Sequence, residues 1–352
     1  MQTSLLKSAL RGFAPYVPGQ QPPDGEGWVK LNTNESPWPP SPKVLDALRA
    51  AINGNLRLYP QAMAQPAREA IARLHGVDPT QLALGNGADE VIAMCFRAFA
   101  GAGTHVAFPH PSYPLFEPLC AIHEVRTAPH ALTRDWEPPG TFAEDDAPLK
   151  FLVNPNSPTG TWVDQATVRT LVQRSRGVVV LDEAYVDFAP QDCIGLVKEG
   201  HENLLITRTF SKAYALAGLR IGYAVGPPGL IAALDLVKDS YNLDRLAIVA
   251  AVAAIEDRDY HRRLVRFVAE ERAWLSEQLR DRGFDLLPSA ANFVLARPPA
   301  DHDAQAVARA LKERRVLVRH YDRAPISGWF RITIGTREQH ERLLEALLEV
   351  MS

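Results

Sequence analysis

Cysteine is scarce in this chain. Cys95, Cys120 and Cys193 stand far apart among 352 residues, and none belongs to a CxxC pair. An odd, scattered set excludes a disulfide framework, so the thiols read as reduced and mostly buried. Long apolar runs are missing too. No stretch approaches the roughly 20 residues of a membrane span, and the apolar run within Met1–Leu10 is too short for a secretory signal. Neither sign of charge dominates. With 38 basic against 41 acidic residues, a formal net charge of -3 gives no electrostatic reason to expect nucleic acid or an anionic membrane as a partner. Repeats and low-complexity tracts are absent. What remains, 46% hydrophobic and 22% charged, is ordinary for a soluble globular protein. The expectation is a cytoplasmic metabolic protein, with no metal site and with room for a large domain and a smaller companion.

Proline is plentiful at the start: Pro15, Pro18, Pro22, Pro23, Pro37, Pro39, Pro40 and Pro42. Such a segment cannot be regular throughout, and residues 1–42 read as an arm joined to part of a small domain. Ser41-Pro42 supplies an N-cap and a first-turn proline for a helix through Val44, Leu45, Leu48 and Ile52. Over 43–255, short apolar runs alternate with helical patterns. Candidate strands are 104–108, 149–153, 178–181, 204–207 and 221–225, which predicts an α/β domain with a largely parallel sheet flanked by helices. Ligands in such sheets bind at the carboxyl ends of the strands. A long helix is expected over 258–283. Strands near 292–296, 316–318 and 330–334 and a helix near 343–350 follow, so 256–352 read as a small α+β domain.

The chemistry concentrates in Thr209-Phe210-Ser211-Lys212 and Gly218-Leu219-Arg220-Ile221-Gly222. An amine can condense with an aldehyde, while hydroxyls and a guanidinium suit a phosphate ester. Aldehyde and phosphate together on one small molecule describe pyridoxal phosphate. A lone lysine would be a solvated surface residue, but other segments agree. Asp182 ends the run Val178–Leu181, where a buried carboxylate keeps a pyridine nitrogen protonated. Tyr185 follows closely and can donate to the ring's phenolate oxygen. Gly85-Asn86-Gly87-Ala88-Asp89-Glu90 leads into a helix whose first N–H groups suit a phosphate. Tyr113, just past a strand end, can stack on a planar ring, and 154–160 form a rigid turn with two prolines, one of them a candidate cis proline.

The ordered set GNGADE, PSY, NPNSPTG, LDEAY, TFSK, GLRIGY and FRITIG resembles the class I/II pyridoxal-phosphate aminotransferases of fold type I. The segments Pro15–Gly19, Leu31–Glu35, Tyr59-Pro60 and Phe330–Thr336 are similar to the histidinol-phosphate aminotransferase group. The resemblance implies a seven-stranded, mostly parallel sheet in the large domain and an active homodimer. It casts Lys212 as the Schiff-base lysine, Asp182 as partner of the pyridine nitrogen and Tyr185 as contact of the phenolate oxygen, with Tyr113 stacked on the ring. Ala88, Asp89, Thr209, Ser211 and Arg220 would hold the phosphate, joined by Tyr59 from the neighbouring subunit. Arg331 would bind the substrate's α-carboxylate and Arg319 its phosphate or distal acid, with Tyr16 and Asn34 at the substrate entrance. Ser157 stands where the family usually has asparagine, so either Ser157 or Asn156 meets the phenolate oxygen. The implied reaction moves an amino group from L-histidinol phosphate to 2-oxoglutarate. Alternatives on the same motifs are an aromatic amino-acid aminotransferase and a threonine-phosphate decarboxylase.

Overall fold

The valine- and leucine-rich runs are buried on both faces, as a sheet covered by helices requires. In the computed structural model, which describes residues 5, 7–11, 19–23 and 25–351, a two-residue strand β1 (Val29–Lys30) comes first. Then β2 (Leu82–Asn86), β3 (His105–His110), β4 (Arg126–Ala131), β5 (Leu149–Val153), β6 (Val178–Asp182), β7 (Leu204–Thr209) and β8 (Ile221–Val225) build one seven-stranded sheet, ordered β2-β8-β7-β6-β5-β3-β4. Only β8 runs against its neighbours. The five expected strands are present with small shifts at their ends. β4 was not expected: its sequence RTAPHA is polar, half-exposed and interrupted by Pro129, a pattern that suits an edge strand and hides it from an apolar-run criterion.

The remaining strands make two smaller sheets. β9 (Asp285–Leu286), β10 (Phe293–Arg297), β12 (Arg319–Tyr321) and β13 (Trp329–Thr333) form an antiparallel sheet ordered β12-β13-β10-β9, while β11 (Val316–Leu317) pairs with β1 in parallel. Residues just after β1 are sewn in as well, since the Thr333 amide donates to the Leu31 carbonyl at 2.9 Å. The helix Pro42–Ala51 starts as its cap predicts, with Ser41 Oγ accepting from the Val44 amide at 3.3 Å. The helix Arg258–Arg280 stops ahead of Gly283, whose φ of 79° is left-handed. The last helix, Arg337–Met351, begins six residues before the expected start. Thr336 and Gln339 cap each other reciprocally there: the Gln339 amide donates to Thr336 Oγ1 and the Thr336 amide to Gln339 Oε1.

Candidate active site

A cavity of about 660 Å³ opens where β3, β5, β6 and β7 end, walled on the other side by residues of β12 and β13. The parallel strands bring their carboxyl-terminal residues to one level, so Phe108, Val153, Asp182 and Thr209 reach the same space from four strands.

One end is built for an anion. The helix Ala88–Phe99 begins after Gly87, whose φ is 84°, and no side chain caps its first amides. A Cβ on Gly87 would meet Arg220 Nη2 at 2.6 Å, and one on Gly222 would meet the Ala88 nitrogen at 2.2 Å. The backbone at Gly222 and the left-handed φ at Gly87 favour glycine, so β8 and the guanidinium close on the helix start. Thr209 and Ser211 add hydroxyls 2.9 Å apart, and Arg220 pairs with Asp89 at 3.1 Å. Uncapped amides at a helix start, two hydroxyls and a guanidinium are the donors a phosphate takes.

The middle holds the titratable groups. Asp182 is buried, and its Oδ1 accepts from the Ala184 amide at 3.0 Å and Thr207 Oγ1 at 3.3 Å. Burial outweighs those bonds and pushes its carboxyl up to about 7. A cationic ring nitrogen is the partner that would restore the carboxylate. Lys212 is partly buried; loss of hydration, then the charge of Arg331, brings its amine down to about 8. Its Nζ lies 5.8 Å from the centre of the Tyr185 ring. Tyr113 lines the wall and donates to Asp89 Oδ1 at 2.8 Å, and burial raises its phenol. A molecule with a phosphate, a basic ring nitrogen and an amine-reactive carbonyl fits this donor set.

The other end carries arginines. Arg331 and Arg319 are paired across β12 and β13, and both line the cavity. Arg331 donates to Ser157 Oγ at 3.3 Å and to the Asn32 carbonyl at 3.1 Å, while its buried Nε has no hydrogen-bond partner. Two guanidinium groups on one wall of the cavity suit an anionic ligand.

Most expected site residues meet here: Ala88, Asp89, Tyr113, Ser157, Asp182, Tyr185, Thr209, Ser211, Lys212, Arg220, Arg319, Arg331 and Asn34 all line the cavity. Asn156 does not. Its amide is spent inside the turn, donating to the Pro111 carbonyl at 3.1 Å and Thr159 Oγ1 at 2.8 Å, so Ser157 is the one facing inward. Asn34 sits deep in the cavity wall. Fully buried with a φ of 55°, it donates from Nδ2 to the Tyr185 hydroxyl at 2.9 Å and fixes that phenol. Tyr59 lies outside the wall, exposed and stacked on Tyr241 at 4.5 Å. Tyr16 falls outside the described residues. The structure also adds Thr207, Tyr321 and Arg323. Thr207 reaches Asp182 because β6 and β7 pair those two residues in register, a relation the sequence order does not display.

Residues 26–347 match the family Aminotransferase class I and II. The chain is 45% identical to the histidinol-phosphate aminotransferase of Geobacter sulfurreducens over 98% of its length and 99% of the relative's. It is 44% identical to that of Geotalea uraniireducens, with coverage of 98% and 99%. Among solved structures it is similar to a histidinol-phosphate aminotransferase from Sinorhizobium meliloti in complex with pyridoxal-5'-phosphate. The TM-score is 0.85 at 31% identity, over 91% of this chain and 90% of that one. An L-threonine-O-3-phosphate decarboxylase from Porphyromonas gingivalis, at 24% identity and a TM-score of 0.78, shares the fold.

Proposed function

Since the chain belongs to the class I and II aminotransferases, we propose that it uses pyridoxal phosphate to move the amino group of L-histidinol phosphate to 2-oxoglutarate, as a step of histidine biosynthesis in the cytoplasm. One observation carries the reading: a single cavity presents an amine, a buried carboxylate, an anion cradle at one end and paired arginines at the other. The near-full-length identity to histidinol-phosphate aminotransferases supports the donor.

When bound, pyridoxal phosphate supplies an aldehyde for amines and a ring that accepts the electron pair left when a Cα–H bond breaks. The helix start at Ala88, with Thr209, Ser211 and Arg220, anchors the phosphate. Asp182 would hold a proton at the ring nitrogen, staying ionised beside that cation. Tyr185, fixed by Asn34, presents its hydroxyl to the phenolate oxygen, with Ser157 beside it. Lys212 would act as the base that takes the proton from the donor's Cα, holding it on Nζ. An amine near 8 suits this task, since it is neutral often enough to accept. Arg331, on the cavity wall, would bind the anionic group beside the reacting carbon, and Arg319 opposite it the more distant one.

The active unit is a homodimer. Ile52, Leu56, Leu58, Tyr59 and Met63 form an exposed, mostly apolar run suited to a partner subunit, from which Tyr59 would reach the phosphate of the partner's cofactor. Residues 43–255 make the cofactor-binding domain and 256–352 the small one, which 1–42 joins. Mixing Lys212→Ala and Tyr59→Ala subunits tests the shared site. A shared site restores about a quarter of wild-type activity, since half the dimers then carry one intact site of two; no recovery refutes the sharing. Steady-state comparison of histidinol phosphate, phenylalanine and threonine phosphate with 2-oxoglutarate tests the substrate. A higher kcat/KM for phenylalanine, or carbon dioxide release without an acceptor, overturns the assignment.

A further inference from the structure

One face of β3 and β4, with the loop after the helix Gly140–Glu144, holds a second group of titratable side chains, none of them in the cavity wall. His105 opens β3 and His130 lies in β4. The register sets His105 against Arg126 and Pro109 against His130, so both imidazoles stand on one face of the sheet, four residues apart along the strands. Between them that face carries only Ala107 and Ala128, which leaves room for the rings to lean together. The helix Gly140–Glu144 ends beside them and delivers Asp145. One of its oxygens lies 2.8 Å from His105 Nε2 and the other 3.0 Å from His130 Nε2. The Ala147 amide anchors the same carboxylate at 2.8 Å. Asp146 Oδ1 lies 3.4 Å from His105 Nε2.

We infer that His105, Asp145 and Asp146 form a site for a zinc-class divalent cation, with His130 positioning Asp145. One ligand atom from each of the three lies within 4.8 Å of the others. The two short separations from His105 bracket the edge of about 3.3 Å that a tetrahedron with bonds of about 2.0–2.1 Å requires. An imidazole with two carboxylates favours zinc, cobalt or nickel over magnesium or calcium, which prefer all-oxygen shells. The cation takes the place of the proton that His105 Nε2 gives to Asp145, and that proton leaves to solvent. Two carboxylates balance the charge of a divalent cation. A simple hydrogen-bonded staple would need His105, Asp145 and His130 but has no use for Asp146, which is 83% exposed. His130 holds the outer oxygen of a ligating carboxylate, as partners of metal ligands commonly do.

Zn²⁺ titrated by calorimetry into the holoenzyme, freed of metal by a chelator, tests this. One saturable equivalent per chain is expected, weakened at least about tenfold by Asp146→Asn and by His105→Gln, with His130→Gln weakening it about tenfold through Asp145. The transamination rate of Asp146→Asn stays that of the wild type, since Asp146 is remote from the cavity. Asp146 is exposed, so its substitution leaves the fold intact and decides the matter even where His105→Gln does not fold. Absence of saturable binding, or binding that Asp146→Asn leaves unchanged, overturns the site.

Discussion

The main sheet carries a lysine toward each end, one wholly and one partly buried, and the two are chemically unlike. Lys150 lies near the start of β5, wholly buried, with its ammonium on the Ala143 carbonyl at 2.8 Å and Ser175 Oγ at 3.4 Å. Lys212 follows the end of β7, where its Nζ faces an open cavity and its nearest acceptor, the Thr33 carbonyl, is 3.5 Å away. Burial lowers both amines. A depressed pKa therefore does not by itself mark a reactive lysine. Lys150 is tied down by good acceptors with no space before it. Lys212 has space, weak ties, a protonatable acid nearby and an anion cradle.

The contrast sets the order of expected effects. Lys212→Ala should lower kcat by about 10³-fold or more and remove the cofactor's absorbance near the visible edge. An unchanged spectrum would make the two lysines equivalent again. Asp182→Asn should cost about 10²-fold in kcat and change the pH dependence of stability in the cofactor-free chain. The folded carboxyl, at about 7, lies above its ordinary value, so between pH 4 and 7 the folded state binds more protons than the unfolded. Stability then falls as pH rises through that window. Thermal melts of the Asn variant should lack this slope; an identical slope would contradict the assignment. Arg331→Ala should reduce kcat/KM by roughly 10²-fold with the cofactor spectrum retained, whereas loss of the spectrum would move Arg331 to the cofactor. Lys150→Met should leave kcat within about twofold and change only the melting temperature. A large fall in kcat would erase the distinction between the two ends.

What the sequence made legible was local. Lys212, Asp182 and Arg220 sit in short segments whose residue types alone specify chemistry, and the strands before them are compact apolar runs. The seven-stranded sheet followed from the same runs together with the resemblance. Three kinds of information were hidden. β4 is a polar edge strand that no hydrophobic pattern marks. Asn34 meets Tyr185 across 151 positions, so its buried role depends on tertiary packing rather than on its own neighbourhood. The choice between Asn156 and Ser157 turned on which side of one turn faces inward, a question of backbone geometry that composition does not carry. The substrate end was less readable than the cofactor end for a similar reason: Arg319 and Arg331 meet only through strand pairing, and Arg323 lies on an exposed loop between those strands.

Lys212, and not the wholly buried Lys150, is the amine proposed to hold the cofactor. Borohydride reduction of the holoenzyme fixes that attachment, and peptide mass mapping then locates it. The account predicts a single modified peptide, containing Lys212, with a labelling rate that rises with pH through about 8 when the cofactor is added to stripped enzyme, because only the neutral amine attacks. A pyridoxyl group on Lys150 or any other lysine, with Lys212 unmodified, would contradict it.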